Sequence, residues 1–276
     1  VTDITMARLH EGMVVLYAIS LVLYFLDFFY QNKRAEKYGF YLVSIVWVLQ
    51  SIFLVLYMME TNRFPILTLF EGIYFYAWLL ITLSLVLHLT YKVKILVFSL
   101  NIIGFVMMMI HTFAPVQLER SPVGENLVSE LLFIHVTFAI ISYVAFSLSF
   151  VFSVLYQLLY RLLKKKKWTI QWRNLPSLDQ TEKGMTISMI IGIPSLLLSL
   201  ILGMQWAYLS LDSFSLFDMK IVGSFILLIF YSVILYRHHK NALLGTQYAW
   251  AHIYAFLVVL LNFFLGSRLS EFHFWL

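Results

Sequence analysis

Histidine is the side chain through which this chain can do chemistry. It has 8 histidines and no cysteine, which excludes disulfides, thiolate metal sites and CxxC redox exchange. His135 (LLFIHVTF) and His252 (AWAHIYAF) lie deepest in apolar surroundings, and His111 and His88 stand near the ends of apolar runs. His10, His238 and His239 occupy run borders, and His273 lies in the tail. An imidazole in hydrocarbon is tolerated when one ring nitrogen donates a hydrogen bond and the other accepts one or binds a metal. Each intramembrane histidine is therefore either an interhelical hydrogen-bond partner or a ligand. Two acids, Asp27 and Glu71, add a proton or ion relay to the options, which would make the chain a proton- or ion-coupled transporter. They sit at opposite ends of their runs, however, and this disfavours a single relay. No HExxH, GxSxG, P-loop or GxGxxG occurs, so the expectation is a protein that is not an enzyme.

The elements that must position these residues are set by hydropathy. Of 276 residues, 62% are hydrophobic and 12% charged, against roughly a quarter charged in soluble domains. Mean hydropathy is +0.87. Apolar runs near 10–30, 39–59, 66–89, 93–113, 130–162, 186–209, 218–238 and 246–267 each reach the roughly 20 residues that cross a bilayer as a helix. The fold class is an all-α integral membrane protein, a bundle of about eight transmembrane helices in one membrane domain, residues 1–276. The aromatic share of 18% suits interfacial belts and helix packing.

Lys and Arg set the orientation. Lys33, Arg34 and Lys37 follow the first run, Lys92 and Lys94 the third, Arg161, Lys164–Lys167, Arg173 and Lys183 the fifth, and Arg237 and Lys240 the seventh. The alternate connections and the tail carry only Arg63, Arg120, Lys220 and Arg268. The positive-inside rule then puts both termini outside, the basic loop 164–185 in the cytoplasm and the segment 203–220 on the outer face. The net charge of +5 follows from these loops and implies a lipid bilayer, not nucleic acid, as the partner.

On that topology His135 and His273 bracket the segment Gly203–Lys220, GMQWAYLSLDSFSLFDMK, on the outer side. Among metal groups haem fits the inventory best: it takes one or two axial histidines, an apolar aromatic pocket, and cations for its propionates. The expected iron ligands are His135 and His273, with His88, His111 and His252 ranked below them. Trp206 and Phe217 would make an apolar floor and Asp218 would fix the loop. Lys220 and Arg268 would meet the propionates, and Glu71 stands at a suitable depth to orient a ligand.

Four stretches carry a resemblance. Phe64–Trp78 matches a family segment at Pro65, Glu71 and Trp78, and Leu132–Phe146 matches another at His135 and Tyr143. Trp206–Asp218 aligns without gaps on a tryptophan-rich WWD segment, and His273 falls where a second outer histidine is found. On these the chain resembles the HemX proteins, within the CcsA/CcmC haem-handling superfamily of cytochrome c assembly. The resemblance implies a multi-pass bacterial cell-membrane protein that binds haem b. It also implies a regulatory role in haem synthesis, lowering the level of glutamyl-tRNA reductase, with the cytoplasmic loop as the contact surface. A haem exporter or cytochrome c assembly subunit is the alternative. Where the wider family has Trp, this chain has Leu211, Ser215 and Phe217, and Tyr236 stands near the position of a further family histidine.

The orientation is tested with single cysteines placed at Lys166 and Ser213 of this cysteine-free chain. An impermeant thiol reagent on intact cells should label position 213 and spare 166; the reverse pattern inverts the topology.

Overall fold

A computed structural model describes residues 2–61, 63–66, 68–90, 93–113, 130–166, 175–210 and 215–270. Among them eight helices run in chain order: α1 Thr2–Tyr30, α2 Lys33–Thr61, α3 Leu69–Thr90, α4 Lys94–Phe113, α5 Glu130–Lys164, α6 Leu178–Ser210, α7 Met219–His239 and α8 Gly245–Arg268. All eight contain stretches long and apolar enough to cross a membrane. The all-α multi-pass architecture expected from hydropathy is the one observed.

Three boundaries depart from the hydropathy reading. The polar lead-in Thr2–Glu11 is helical and continuous with the first span. The expected loop 164–185 is shortened at its far end, because α6 begins at Leu178, eight residues before its expected apolar stretch. Its start is a capping box: the Ser177 hydroxyl accepts from the Gln180 amide at 3.1 Å, and the Gln180 side chain accepts from the Ser177 amide at 2.9 Å. Third, α6 runs on to Ser210, so the first eight residues of the expected outer loop 203–220 are helix.

The helices fall into two compact units. The first holds α1, α2, α3 from Phe70, and α4. With no water in the hydrocarbon, its buried polar groups must pair with one another. Asn101 on α4 accepts from the Tyr17 hydroxyl of α1 at 3.0 Å and donates to the Ser84 hydroxyl of α3. Gly104, one turn along, leaves room for the Tyr17 hydroxyl, which would lie 2.6 Å from an added Cβ. On the α2–α3 side, Trp47 donates to Thr82 at 2.8 Å and Trp78 to Ser51 at 2.9 Å, with the two indoles stacked.

The second unit holds α5 to α8. Its frame is the antiparallel pair α5–α6, which approach at three glycines of α6. An added Cβ at Gly184, Gly192 or Gly203 would lie 2.6, 2.5 or 2.5 Å from the ring of Phe152, Phe146 or His135 on α5. Small residues of this kind let transmembrane helices close up. The buried hydroxyls of Ser142, Ser147, Ser153, Ser188 and Ser195 each return to a carbonyl three or four residues back in their own helix. Phe146 also stacks on Tyr231 of α7 at 3.8 Å between centroids.

Asn101 joins three helices, so Asn101→Ala should cost about 1–3 kcal/mol by stranding the buried hydroxyls of Tyr17 and Ser84. Tyr17→Phe should cost less. Thermal unfolding in detergent checks both.

Candidate functional site

His135 lies on α5 against the small-residue stripe of α6. Its Nδ1 is 2.6 Å from the carbonyl oxygen of Ser199 and 3.1 Å from the Ser199 hydroxyl. A carbonyl only accepts, so Nδ1 carries the proton and donates it. Nε2 then keeps its lone pair and makes no hydrogen bond to a described residue. The ring is only partly buried. This is the arrangement in which a metal-binding imidazole is held: one nitrogen donating to a backbone carbonyl, the other bare. Gly203, one turn beyond Ser199, is the position whose missing side chain leaves space for the ring.

The other expected residues of this region divide. Trp206 is buried inside the second unit at 7% exposure, whereas Phe217 is 89% exposed. The two therefore do not make a common floor. Trp206 packs into the interior from the helical end of α6, while Phe217 stands two residues before α7 and is left exposed. Asp218 is buried and caps α7: Oδ1 accepts from the Lys220 amide at 2.9 Å, and Oδ2 accepts from the Ser270 hydroxyl at 2.7 Å. It thereby ties the start of α7 to the residues after α8. The Lys220 ammonium donates to the Asn262 carbonyl at 3.2 Å and lies over the Phe263 ring. Asn262 itself donates to Tyr143 and Ser224 at 3.2 and 3.1 Å. His273 lies outside the described residues, as does the side chain of Arg268.

Glu71 has a different role from the one expected. In the first unit its two oxygens accept from the Arg63 guanidinium at 2.8 and 3.0 Å, and the Tyr57 hydroxyl donates to it as well. This bidentate fork fastens the α2–α3 connection to the first turn of α3. Partial burial alone would lower the Arg63 pKa, but the bonds to Glu71 outweigh it and hold the guanidinium above its ordinary range.

The lower-ranked histidines are also placed. His111 donates from Nδ1 to the Phe70 carbonyl at 3.0 Å and packs against His10 and Tyr74. His88 stacks on Phe40. His252 is fully buried, with Nδ1 on the Ser149 hydroxyl and Nε2 without a hydrogen bond to a described residue. His238, two residues past Tyr236, stacks on Tyr248 and has Nδ1 at 3.1 Å from the Leu243 carbonyl. Among the described residues no three His, Asp or Glu side chains converge as a metal site. Ser199 and Gly203 were missed by sequence reasoning. The signal was present in the small residues Gly192, Ser195, Ser199 and Gly203, spaced three, four and four apart on one face of α6.

Comparison with known proteins follows the same residues. The family described as Cytochrome C assembly protein matches residues 66–273. The chain is 49% identical over 271 residues to Protein HemX of Bacillus subtilis (strain 168), covering 98% of each. It is 39% identical over 267 residues to Protein HemX of Brevibacillus brevis, covering 97% of each.

Because the acceptor for His135 is a backbone carbonyl, Ser199→Ala should be mild. Gly203→Ala places a methyl against the imidazole and should cost about 1–3 kcal/mol. Thermal unfolding of the two variants side by side tests this; equal effects would mean that His135 does not rest on Gly203.

Proposed function

The chain belongs to the cytochrome c assembly protein family, as a HemX-type multi-pass bacterial membrane protein, and from that premise we propose that it binds haem b and reports haem status to tetrapyrrole synthesis without being an enzyme. The observation that carries the reading is the fixed tautomer of His135, whose Nδ1–H is spent on the Ser199 carbonyl at 2.6 Å so that Nε2 is available to iron. His135 and His273 would hold the haem iron. Haem, if bound, would supply an iron centre that takes imidazole nitrogen as a ligand, and occupancy of the site would follow its supply. The protein's own part would be to seat His135 against Gly203 and to provide Lys220 and Arg268, the last residue of α8, as cations for the propionates. Asp218 keeps the start of α7 and the residues after α8 together, so that the segment bearing His273 leaves from a defined point.

The regulatory reading extends this to the opposite end of α5. Arg161, Lys164, Lys165 and Lys166 continue the helix and its cap beyond the apolar stretch. They offer a basic surface for an acidic partner in the cytoplasm, for which glutamyl-tRNA reductase is the proposed candidate.

An absorption spectrum of the purified protein is the test. His135→Ala and His273→Ala should each lose most of the bound haem or change its spin state, while His88→Ala and His252→Ala should matter less. Haem that survives both outer substitutions and disappears with His252→Ala or His88→Ala would overturn the ligand assignment.

A further inference from the structure

At the end of the first unit where α1 begins and α4 finishes, two histidines lie side by side in a box of aromatic rings. His10 of α1 is buried, and its ring centroid lies 5.2 Å from that of His111 of α4. Phe53 of α2 stands edge-on to His10 at 4.4 Å, and Tyr74 of α3 lies 4.8 Å from His111 and 5.7 Å from His10. The tautomer of His111 is set as that of His135 is. Its Nδ1 donates to the Phe70 carbonyl at 3.0 Å, so Nε2 keeps its lone pair, and it makes no hydrogen bond to a described residue. All four helices of the unit contribute a ring, yet the proposed haem site uses neither histidine. His10 and Phe53 also precede residue 66, where the cytochrome c assembly match begins.

The donors around the pair are neutral and soft. Met13 follows His10 by one helical turn and Met107 precedes His111 by one, on the same helix faces, and both are buried. Met108 is spent, since its Sδ accepts from Gln50 Nε2 at 3.3 Å. Glu71, the acid whose charge reaches His111, is taken up by Arg63 and Tyr57. A divalent ion would be left with its charge uncompensated in a buried setting, and zinc calls for four ligands. Cu(I) carries one charge, takes imidazole and thioether together and tolerates low coordination. The surrounding ring faces also favour a cation. With metal–nitrogen bonds of about 2.0 Å, the centroid separation of 5.2 Å corresponds to an angle of about 110° at a shared metal. A macrocycle has no place between these rings, because trans imidazoles on one iron stand farther apart and Phe53 and Tyr74 occupy the flanks.

We propose that His10 and His111 bind a single Cu(I) ion, His111 through Nε2, with the thioether of Met13 or Met107 as the third donor. The ion ties the start of α1 to the end of α4. The site shares no residue with the proposed haem site, and filling it does not require haem.

The full chain, purified in detergent without a polyhistidine tag and kept anaerobic, is titrated with Cu(I) against bicinchoninate as a coloured competitor. It should take one Cu(I) per chain and, once loaded, unfold at a higher temperature. His10→Gln and His111→Gln should each weaken Cu(I) binding at least about ten-fold and leave haem content unchanged. Zn(II) should bind at least about ten-fold more weakly than Cu(I). Both histidines are packed, so either variant can fail to fold. X-ray absorption of the copper-loaded wild-type chain then decides, and should show two imidazoles and one sulfur around the metal. Met13→Leu or Met107→Leu, each a nearly volume-conserving change, should remove the sulfur. The proposal is overturned by absence of Cu(I) uptake, by unaltered affinity in folded His10→Gln and His111→Gln, or by Zn(II) binding as tight as Cu(I). It is equally overturned by a copper shell with fewer than two imidazoles or no sulfur, or by a sulfur that survives both methionine substitutions.

Discussion

The second unit depends on how closely α5 and α6 approach. In lipid there is no hydrophobic force to press two apolar helices together, so contact rests on shape and on hydrogen bonds. Glycines at 184, 192 and 203 open three recesses along α6, and α5 fills them with Phe152, Phe146 and His135 in antiparallel order. Two of the three rings are apolar, and one of them, Phe146, also stacks on Tyr231. The third is an imidazole, and the approach that seats it also brings the Ser199 carbonyl to 2.6 Å of its Nδ1. Packing and tautomer are set together at this position: the close approach of the two helices also selects which nitrogen keeps its proton.

The same logic recurs in the first unit, where His111 meets the Phe70 carbonyl through Nδ1. A backbone carbonyl is a robust director, because no side-chain substitution removes it. It also separates orientation from chemistry, since the residue that orients the ring need not be charged. The acids behave differently. Glu71 is taken up by Arg63 and Tyr57, and Asp218 by a helix cap and Ser270. Both fasten connections between helices.

Number, order and approximate reach of the helices were legible in the chain because hydrocarbon burial leaves a strong compositional trace. The starts of α1 and α6 were less so. A polar first turn outside the lipid has no hydropathy signature, and at Ser177 the deciding information was a four-residue capping pattern. His135 stood out as an ionisable group in an apolar run. Its partner did not, because a carbonyl has no letter in the sequence and only the small-residue stripe of α6 hinted at it. The assumed pairing of Trp206 with Phe217 failed for a related reason. Aromatic composition marks the membrane interface and the packed interior alike, and here Trp206 of α6 lies in the interior while Phe217 is left exposed. The division into two units has no compositional boundary at all.

α5 has 35 residues, a rod about 52 Å long at the helical rise of 1.5 Å per residue, against a hydrocarbon layer of about 30 Å. His135 stands near one end of it and Arg161 to Lys164 form the other. Such a rod is a lever whose arms lie on the two sides of the membrane. A tilt of about five degrees moves one end by about 4–5 Å relative to the other over that length, close to the width of a side chain. With the His135 end as the pivot, the whole of that displacement falls at Arg161 to Lys164.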